Sequence, residues 1–528
     1  MLLLWIGTGQ VLPAQSLYYV YLHEKAPASP DLAADFHPAA LERRLRAGVE
    51  FPSWEDLRLR PSDVQAVGQH VEKVRYELRW LNAVTVAATP AQAQALRHLP
   101  CVRAVEPMDT WEDDTPVTAE AELAAFPLPA PDTARQHQLH NLVQDMLHLD
   151  VLRAAGLSGK GVRIAIFDAG FSGANVHPGL QHIWDSGHLV LANDFYGGKG
   201  SDVYYGSGHG TGVMGCIGGK DAFGPIGAAP DASFLLARTE HNHHEKAIEE
   251  DHWLAAAEWA DRNGADIISS SLGYTKKRYT PAMMDGRQAP VTRAAAMAVR
   301  KGIVVVNSAG NEGSNEFRTI AAPADADSVI TVGGVYPQVA VRMPFSSVGP
   351  NARGVLKPDL CAPAYVLTTH KGGGYKEMPG TSFACPLVAG MVACLVQRHP
   401  DWSGFQLRDH LLQDGHFSPY YDYELGRGVL DARRMVGTVD SVAPTFAFAE
   451  RNDSLFVLPD PGVFKVKRAK GAEARPLHVS AINEEGKVIA YFTVRLASAQ
   501  SAMFINEAFR KRGRLRVWFE GYFWEEGE

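Results

Sequence analysis

The chain has 528 residues, 46% of them hydrophobic and 21% charged, a composition that excludes a disordered or collagen-like protein. Acidic residues outnumber basic ones by 59 to 51, giving a formal charge of -8. No sizeable basic block stands out, which removes the electrostatic case for a nucleic-acid partner. No apolar run in the sequence reaches the ~18 residues expected of a transmembrane segment.

Residues 1–16 read as an atypical or truncated signal peptide: a short apolar stretch at 2–5, then Pro13-Ala14-Gln15-Ser16. The usual positive start is missing, since no Lys or Arg precedes Lys25, and a buried first strand is the competing reading. Residues 17–106 carry the pattern β-α-β-β-α-β. Strands are predicted at 17–22, as a pair within 74–88, and at 101–105, with helices at 61–70 and 91–99, a two-layer α+β unit. Residues 107–140, with Pro116, Pro127, Pro129 and Pro131 among acids, read as an exposed linker where nicking concentrates. Residues 141–440 alternate apolar strands (162–168, 233–238, 265–272, 302–310, 328–334) with helices such as 250–263 and 291–301. Strands apolar on both faces imply a doubly wound, mostly parallel α/β sheet. Residues 445–528 offer short strands, LFVL, VFKV, LHVSAI, VIAYFTVRL and RLRVWF, and read as a small β-rich domain. The five cysteines, Cys101, Cys216, Cys361, Cys385 and Cys394, are odd in number and lack CxxC spacing. They make neither a zinc site nor a disulfide scaffold, and free buried thiols are the plainer reading with one bridge left open.

Three segments carry chemistry. Ile166-Phe167-Asp168-Ala169-Gly170 ends a buried strand in a carboxylate, where open α/β sheets place their sites; alone, Asp168 reads more readily as a turn cap. Gly206-Ser207-Gly208-His209-Gly210-Thr211-Gly212 holds a His in a glycine-rich turn at a helix start. Gly380-Thr381-Ser382-Phe383-Ala384-Cys385-Pro386 opens a helix with a hydroxyl near the positive end of its dipole, suited to a developing oxyanion; alone, Ser382 is an ordinary N-cap.

Together, in the order Asp, His, Ser, these motifs resemble the subtilisin-like serine peptidases, the subtilases of peptidase family S8. The resemblance covers about 150–437. It implies that Asp168, His209 and Ser382 are catalytic, and that the Asn311 side chain, in Ser308-Ala309-Gly310-Asn311, donates to the oxyanion. It implies that Ser271-Leu272-Gly273 pairs with substrate backbone, and that Ser308, Ala309, Gly310 and Ala321 border the primary specificity pocket. ALERR, RWLNAVTV and EEDHWLAAAEWAD are similar to secreted Bacteroidetes-type members. In that light residues 17–106 are expected to be a propeptide that acts as intramolecular inhibitor, 107–140 to hold the maturation site, and 445–528 to be an accessory or sorting domain. Ala169 departs from the Ser or Thr usual after the catalytic Asp. Calcium is common in the family, but no acid-rich loop here announces a site, and the chemistry needs no cofactor.

The run from His241 to His252, rich in His and Glu, lacks HExxH spacing and reads as a solvated loop and helix start rather than a metal site; by the resemblance, Glu240 and Glu250 fall near the substrate side. Cys385 reads as a buried thiol packing the serine helix. The leading expectation is a secreted or cell-surface serine endopeptidase, made as an autoprocessed zymogen and acting on protein or peptide substrates. Small, uncharged residues at the expected pocket point to large apolar side chains before the cut. An inactive subtilase-like binding or surface protein is the alternative, disfavoured because a dead scaffold has no need of Asp168, His209, Asn311 and Ser382 together. A serine esterase of the α/β-hydrolase kind fails on motif order and lacks GxSxG around Ser382.

Overall fold

The computed structural model describes residues 16–108, 112–113, 132–241, 245–275, 278–439, 442–451, 454–465 and 475–527. Of the expected leader only Ser16 is among them, and it opens the first strand.

The N-terminal unit comprises β1 (Ser16–Leu22), α1 (Pro38–Arg46), α2 (Pro61–Gly68), β2 (Lys73–Leu78), β3 (Ala83–Ala88), α3 (Pro90–Leu96) and β4 (Val102–Pro107). Its strands form an antiparallel sheet in the order β2-β3-β1-β4. Side chains alternate across a strand, and β1 uses both faces. Val20 and Leu22 pack with Val84, Val86 and Leu96 of the unit itself, while Tyr19 and Tyr21 join a core shared with the following domain. The expected β-α-β-β-α-β order is present, with one helix more: α1, whose N-cap is the His37 imidazole accepting from Ala39 N.

Seven parallel strands make the central sheet: β6 (Arg163–Asp168), β7 (Leu189–Asp194), β8 (Ser233–Arg238), β10 (Ile267–Ser270), β11 (Val304–Ser308), β12 (Ile330–Val335) and β13 (Leu360–Pro363). They lie in the order β13-β12-β11-β10-β6-β8-β7. The two strands not foreseen, β7 and β13, form the edges, where β7 is only half-buried and β13 spans four residues. A short strand β9 (Glu245–Lys246) pairs antiparallel with β5 (Glu112–Asp113), Glu245 opposite Asp113. Helices α4 (Thr133–Leu147), α5 (His209–Gly218), α6 (Ile248–Arg262), α7 (Pro290–Arg300) and α8 (Thr381–Arg398) surround the sheet. Helix α4 begins inside the stretch read as linker, because the Asp132 carboxylate caps it through Arg135 N. Among the described residues α8 alone is long and apolar enough to cross a membrane, yet 83% of it is buried inside the fold. Its apolar surface is the domain's core.

The C-terminal residues form two antiparallel sheets, β14 (Phe446–Arg451), β15 (Ser454–Pro459) and β18 (Met503–Ile505) in one, and β16 (Arg475–Ile482), β17 (Val488–Leu496), β19 (Arg514–Phe519) and β20 (Tyr522–Glu525) in the other. The strand expected at 463–466 is instead a 3-10 turn, Val463–Lys465. Aromatic residues weld this unit to the central domain: Phe417 meets Trp518 at 4.7 Å and His478 at 4.4 Å between ring centroids, and Trp518 belongs to the central core.

Candidate active site

Strand β6 delivers Asp168 to the carboxyl edge of the sheet, fully buried. The next residues turn sharply: Gly170 has φ 142°, and a Cβ there would lie 2.5 Å from the Tyr205 carbonyl oxygen, so only glycine lets the two backbone segments close. That approach brings the His209 turn alongside, with Gly210 N donating to Gly170 O at 3.1 Å and Ser172 N to Ser207 O at 2.9 Å. The Ser207 hydroxyl accepts from His209 N at 3.1 Å. His209 Nδ1 then lies 3.0 and 2.9 Å from the two Asp168 carboxylate oxygens. An ionised carboxylate only accepts, so Nδ1 carries the proton and Nε2 presents its lone pair on the other side of the ring. That ring packs on Phe383, 5.2 Å between centroids, and Phe383 is the residue after Ser382.

Ser382 stands in the first turn of α8, whose N-terminal amides have no intrahelical acceptors. Pro386 lies four residues on, so the helical bond to the Ser382 carbonyl cannot form. Ser271 Oγ fills the vacancy, donating to Ser382 O at 2.7 Å, while Ser382 Oγ donates to Ser271 O at 3.3 Å. Strand β10 ends at Ser270, which puts Ser271 at the same sheet edge. Asn311 follows β11 and is tied from the helix side: its Oδ1 accepts from Thr381 N at 3.1 Å and Thr381 Oγ1 at 2.9 Å. This fixes which end of the amide is the acceptor and leaves Nδ2 as the end that faces away from Thr381.

The remaining expected residues are knitted together beside Ser382. Asn307 Nδ2 donates to Leu272 O at 2.9 Å, Ala321 N to Ala309 O at 3.0 Å, and Tyr274 N to Ala322 O at 2.8 Å. Gly273, Gly310 and Ala321 meet: a Cβ on Gly273 would stand 2.9 Å, and one on Gly310 3.1 Å, from the Ala321 methyl. Ser308 sits buried at the end of β11. The walls here are Leu272, Ala309, Ala321 and Ala322, all buried and uncharged.

Several expectations require correction. Residues 249–252 are helix start but not solvated: Glu249, Glu250, Asp251 and His252 are all buried. Glu249 accepts from His241 N and Lys246 N, shaping the β9 turn. Glu250 turns inward to Tyr279 OH at 2.7 Å and Val291 N at 3.1 Å, with Arg278 Nε at 3.1 Å, and so supports α7 rather than the cleft. Asp251 and His252 face Arg75 of the N-terminal unit. Residues 242–244 of the same run lie outside the described residues. All five cysteines are free. Burial pushes the Cys385 thiol up to about 12, an inert group under the helix rather than a second nucleophile.

Some residues that shape the site gave little sign in the sequence. Glu258 on α6 accepts from Arg79 N and Trp80 N, each at 2.9 Å, and so holds the β2–β3 turn of the N-terminal unit. Arg43 and Arg44 of α1 reach the Asp261 carboxylate near the end of α6. Thr381 orients Asn311, and Arg238 at the end of β8 bonds the Ala169 carbonyl at 3.0 Å. The ALERR run that becomes α1 and the acid spacing on α6 are the signals that bear on them.

Comparison with known proteins shows the family. A family model described as the subtilase family matches residues 159–428, and one described as the peptidase S8 propeptide domain of Bacteroidota matches 17–122. Subtilisin NAT of Bacillus subtilis subsp. natto is 33% identical over 264 residues, 49% of this chain and 62% of that protein. The chain therefore spans under two thirds of that relative's length. Subtilisin DY of Bacillus licheniformis is 32% identical over 271 residues, 50% of this chain and 88% of the relative. A solved structure of the epidermin leader peptide processing serine protease from Staphylococcus aureus superposes with a TM-score of 0.56 at 18% identity, covering 81% of this chain and 100% of that one; this likeness is one of fold.

Proposed function

Because the chain belongs to the subtilase family, we propose that it is a serine endopeptidase made as a zymogen, with Asp168, His209 and Ser382 as its triad. The observation that carries the proposal is the buried Asp168 carboxylate bonded to His209 Nδ1 at 2.9 Å, on a ring that packs against the residue next to Ser382. In this reading His209 Nε2 takes the Ser382 hydroxyl proton as Oγ attacks the scissile carbonyl, then returns it to the leaving amine. Asp168 holds the tautomer and stabilises the imidazolium. The oxyanion lies between Asn311 Nδ2 and the Ser382 N–H, at the positive end of α8. The polypeptide substrate runs as an extended strand beside Ser271-Leu272-Gly273, with a large apolar side chain against Ala309, Gly310 and Ala321. No cofactor enters the chemistry.

The N-terminal unit serves as the chain's own inhibitor. Its sheet covers α6, and past β4 the pairing of Glu112–Asp113 on β9 ties the start of the 107–140 stretch to the domain that follows. Maturation then cuts beyond Asp113, within 107–140. Release outside the cell or at its surface follows from the leader-like residues 1–16, and the C-terminal sheets serve as an accessory domain.

Intact mass and N-terminal sequencing of wild type beside Ser382→Ala test this reading. The wild type should lose its N-terminal segment while the variant stays whole, folded and inactive. Normal peptidase activity in Ser382→Ala, or wild type that stays whole and takes no fluorophosphonate label, would refute it.

A further inference from the structure

Arg238 is a cation buried at the sheet edge directly beside Asp168. It is 3% exposed and sits in register with Asp168, as β8 pairs with β6. Its Nε donates to Ala169 O at 3.0 Å, and its Nη1 to Asp194 Oδ1 at 3.2 Å and Tyr205 OH at 2.8 Å. The Tyr205 hydroxyl in turn donates to Asp194. The guanidinium lies over the Tyr205 ring at 4.5 Å and the Tyr196 ring at 5.0 Å, with Lys199 3.9 Å over the outer side of Tyr205. From α6, His252 approaches this group through Thr239, whose carbonyl accepts from its Nδ1 at 2.9 Å.

This arrangement joins the two segments that carry Asp168 and His209. Arg238 grips the carbonyl one residue after Asp168. It also braces Tyr205, whose own carbonyl abuts Gly170 four residues before His209. Ala169 has no side-chain hydroxyl to give at this corner, and its carbonyl is held by Arg238. A rigid planar fork spreads its donors across a carbonyl, a carboxylate and a phenol at once, a reach that the compact ammonium of a lysine lacks.

We propose that Arg238 is a positioning residue for the reaction, fixing the Asp168-Ala169-Gly170 turn against the Tyr205–His209 segment so that the carboxylate meets His209 Nδ1 squarely. The Asp194 carboxylate cancels most of the Arg238 charge, so the effect passes through geometry and not through the field at His209. The proposal rests on the peptidase reading above, and Ser382→Ala together with fluorophosphonate labelling of wild type settles that reading separately.

The test compares kcat, KM and the pH profile of kcat/KM for the matured wild type, Arg238→Met, Arg238→Lys and Tyr205→Phe. Arg238→Met is expected to lose kcat by about 10²-fold, the scale of a misplaced catalytic group, with KM nearly unchanged. Its acid limb should move to lower pH, because a loosened Asp168 stabilises the imidazolium less. Arg238→Lys, which reaches Ala169 O or Asp194 but not both, should recover part of kcat. Tyr205→Phe should lose several-fold in the same direction. Unchanged kcat and pH profile in a folded Arg238→Met protein would overturn the proposal. A limb moving to higher pH would also overturn it, since that is the mark of a lost neighbouring charge. If Arg238→Met does not fold, unchanged kcat and pH profile in both Arg238→Lys and Tyr205→Phe overturn it equally.

Discussion

Asp251 should make the grip of the N-terminal unit on the following domain sensitive to pH. Its carboxylate is fully buried, neither oxygen accepts a hydrogen bond, and Arg75 Nε of the N-terminal unit stands 3.5 Å away. Burial pushes its pKa from 3.8 up to about 7, and burial likewise lifts Glu258 from 4.5 to about 7. Departure of the N-terminal unit uncovers that face of α6 and returns both groups toward ordinary values. The sign is the reverse of that for an acid whose pKa is depressed in the complex. The complex binds protons that the separated parts do not, so affinity falls as pH rises from the free pKa toward the bound one. Between pH 6 and 8.5 each carboxyl should weaken the complex about tenfold by this linkage, and the two together about a hundredfold. His252 is held down to about 3 by burial and by Arg75, and stays neutral in the complex throughout. The assay is the lag before activity appears in purified, cut but undissociated protein, normalised to final activity at each pH. Wild type should shed its inhibitor faster at pH 8.5 than at pH 6. Asp251→Asn, which mimics the protonated acid, should lengthen the lag at pH 8.5 and lose about tenfold of the pH dependence. Comparing the two proteins cancels the contributions of Glu258 and His252. An Asn variant with the wild-type dependence would refute the reasoning.

Asn311→Ala should leave folding intact and lower kcat by about 10²–10³-fold, the loss known for such a donor from work on a subtilisin; active-site titration beside steady-state kinetics checks it, and a tenfold or smaller loss would move the oxyanion elsewhere. A peptide-library profile should show large apolar residues before the cut, and dominance by Arg or Lys would contradict the uncharged walls at Leu272, Ala309 and Ala321. Trp518→Ala should destabilise the chain by about 3–5 kcal/mol, read as a lower denaturation midpoint, because Trp518 belongs to the central core as well as to the C-terminal sheets. In the same seam burial lowers His478 from 6.5 to about 3. The folded state refuses a proton that the unfolded chain accepts, so stability present above pH 6.5 should be lost as pH falls, by about 2 kcal/mol at pH 5. His478→Phe should flatten that slope in an acid unfolding series.

The residues of the candidate site were legible because local sequence fixes where they stand. The Asp168 turn needs a glycine two residues on, the His209 turn needs small neighbours, and Pro386 frees the Ser382 carbonyl at a fixed helical offset. The strands of the sheet interior were legible for a related reason: Val304–Ser308 and Ile330–Val335 are buried throughout and so read as continuous apolar runs. The edge strand β7 carries an apolar run, Leu189-Val190-Leu191-Ala192, but is only half-buried, and Val463–Lys465 forms a 3-10 turn with no buried residue.

What the sequence by itself determined is the doubly wound sheet, the order of its motifs, and the identity of the residues around Ser382. Only the tertiary structure decided the fate of the charges. The acids at 249–251 look solvated in one dimension, yet they are buried, as are Asp261 and Arg238. Their partners lie far along the chain: Arg75 sits 177 residues from His252, and Arg44 217 residues from Asp261. A charged side chain enters a protein interior only when an opposite charge or a set of hydrogen bonds meets it there. No local pattern announces that meeting, because it depends on which surfaces the fold brings face to face.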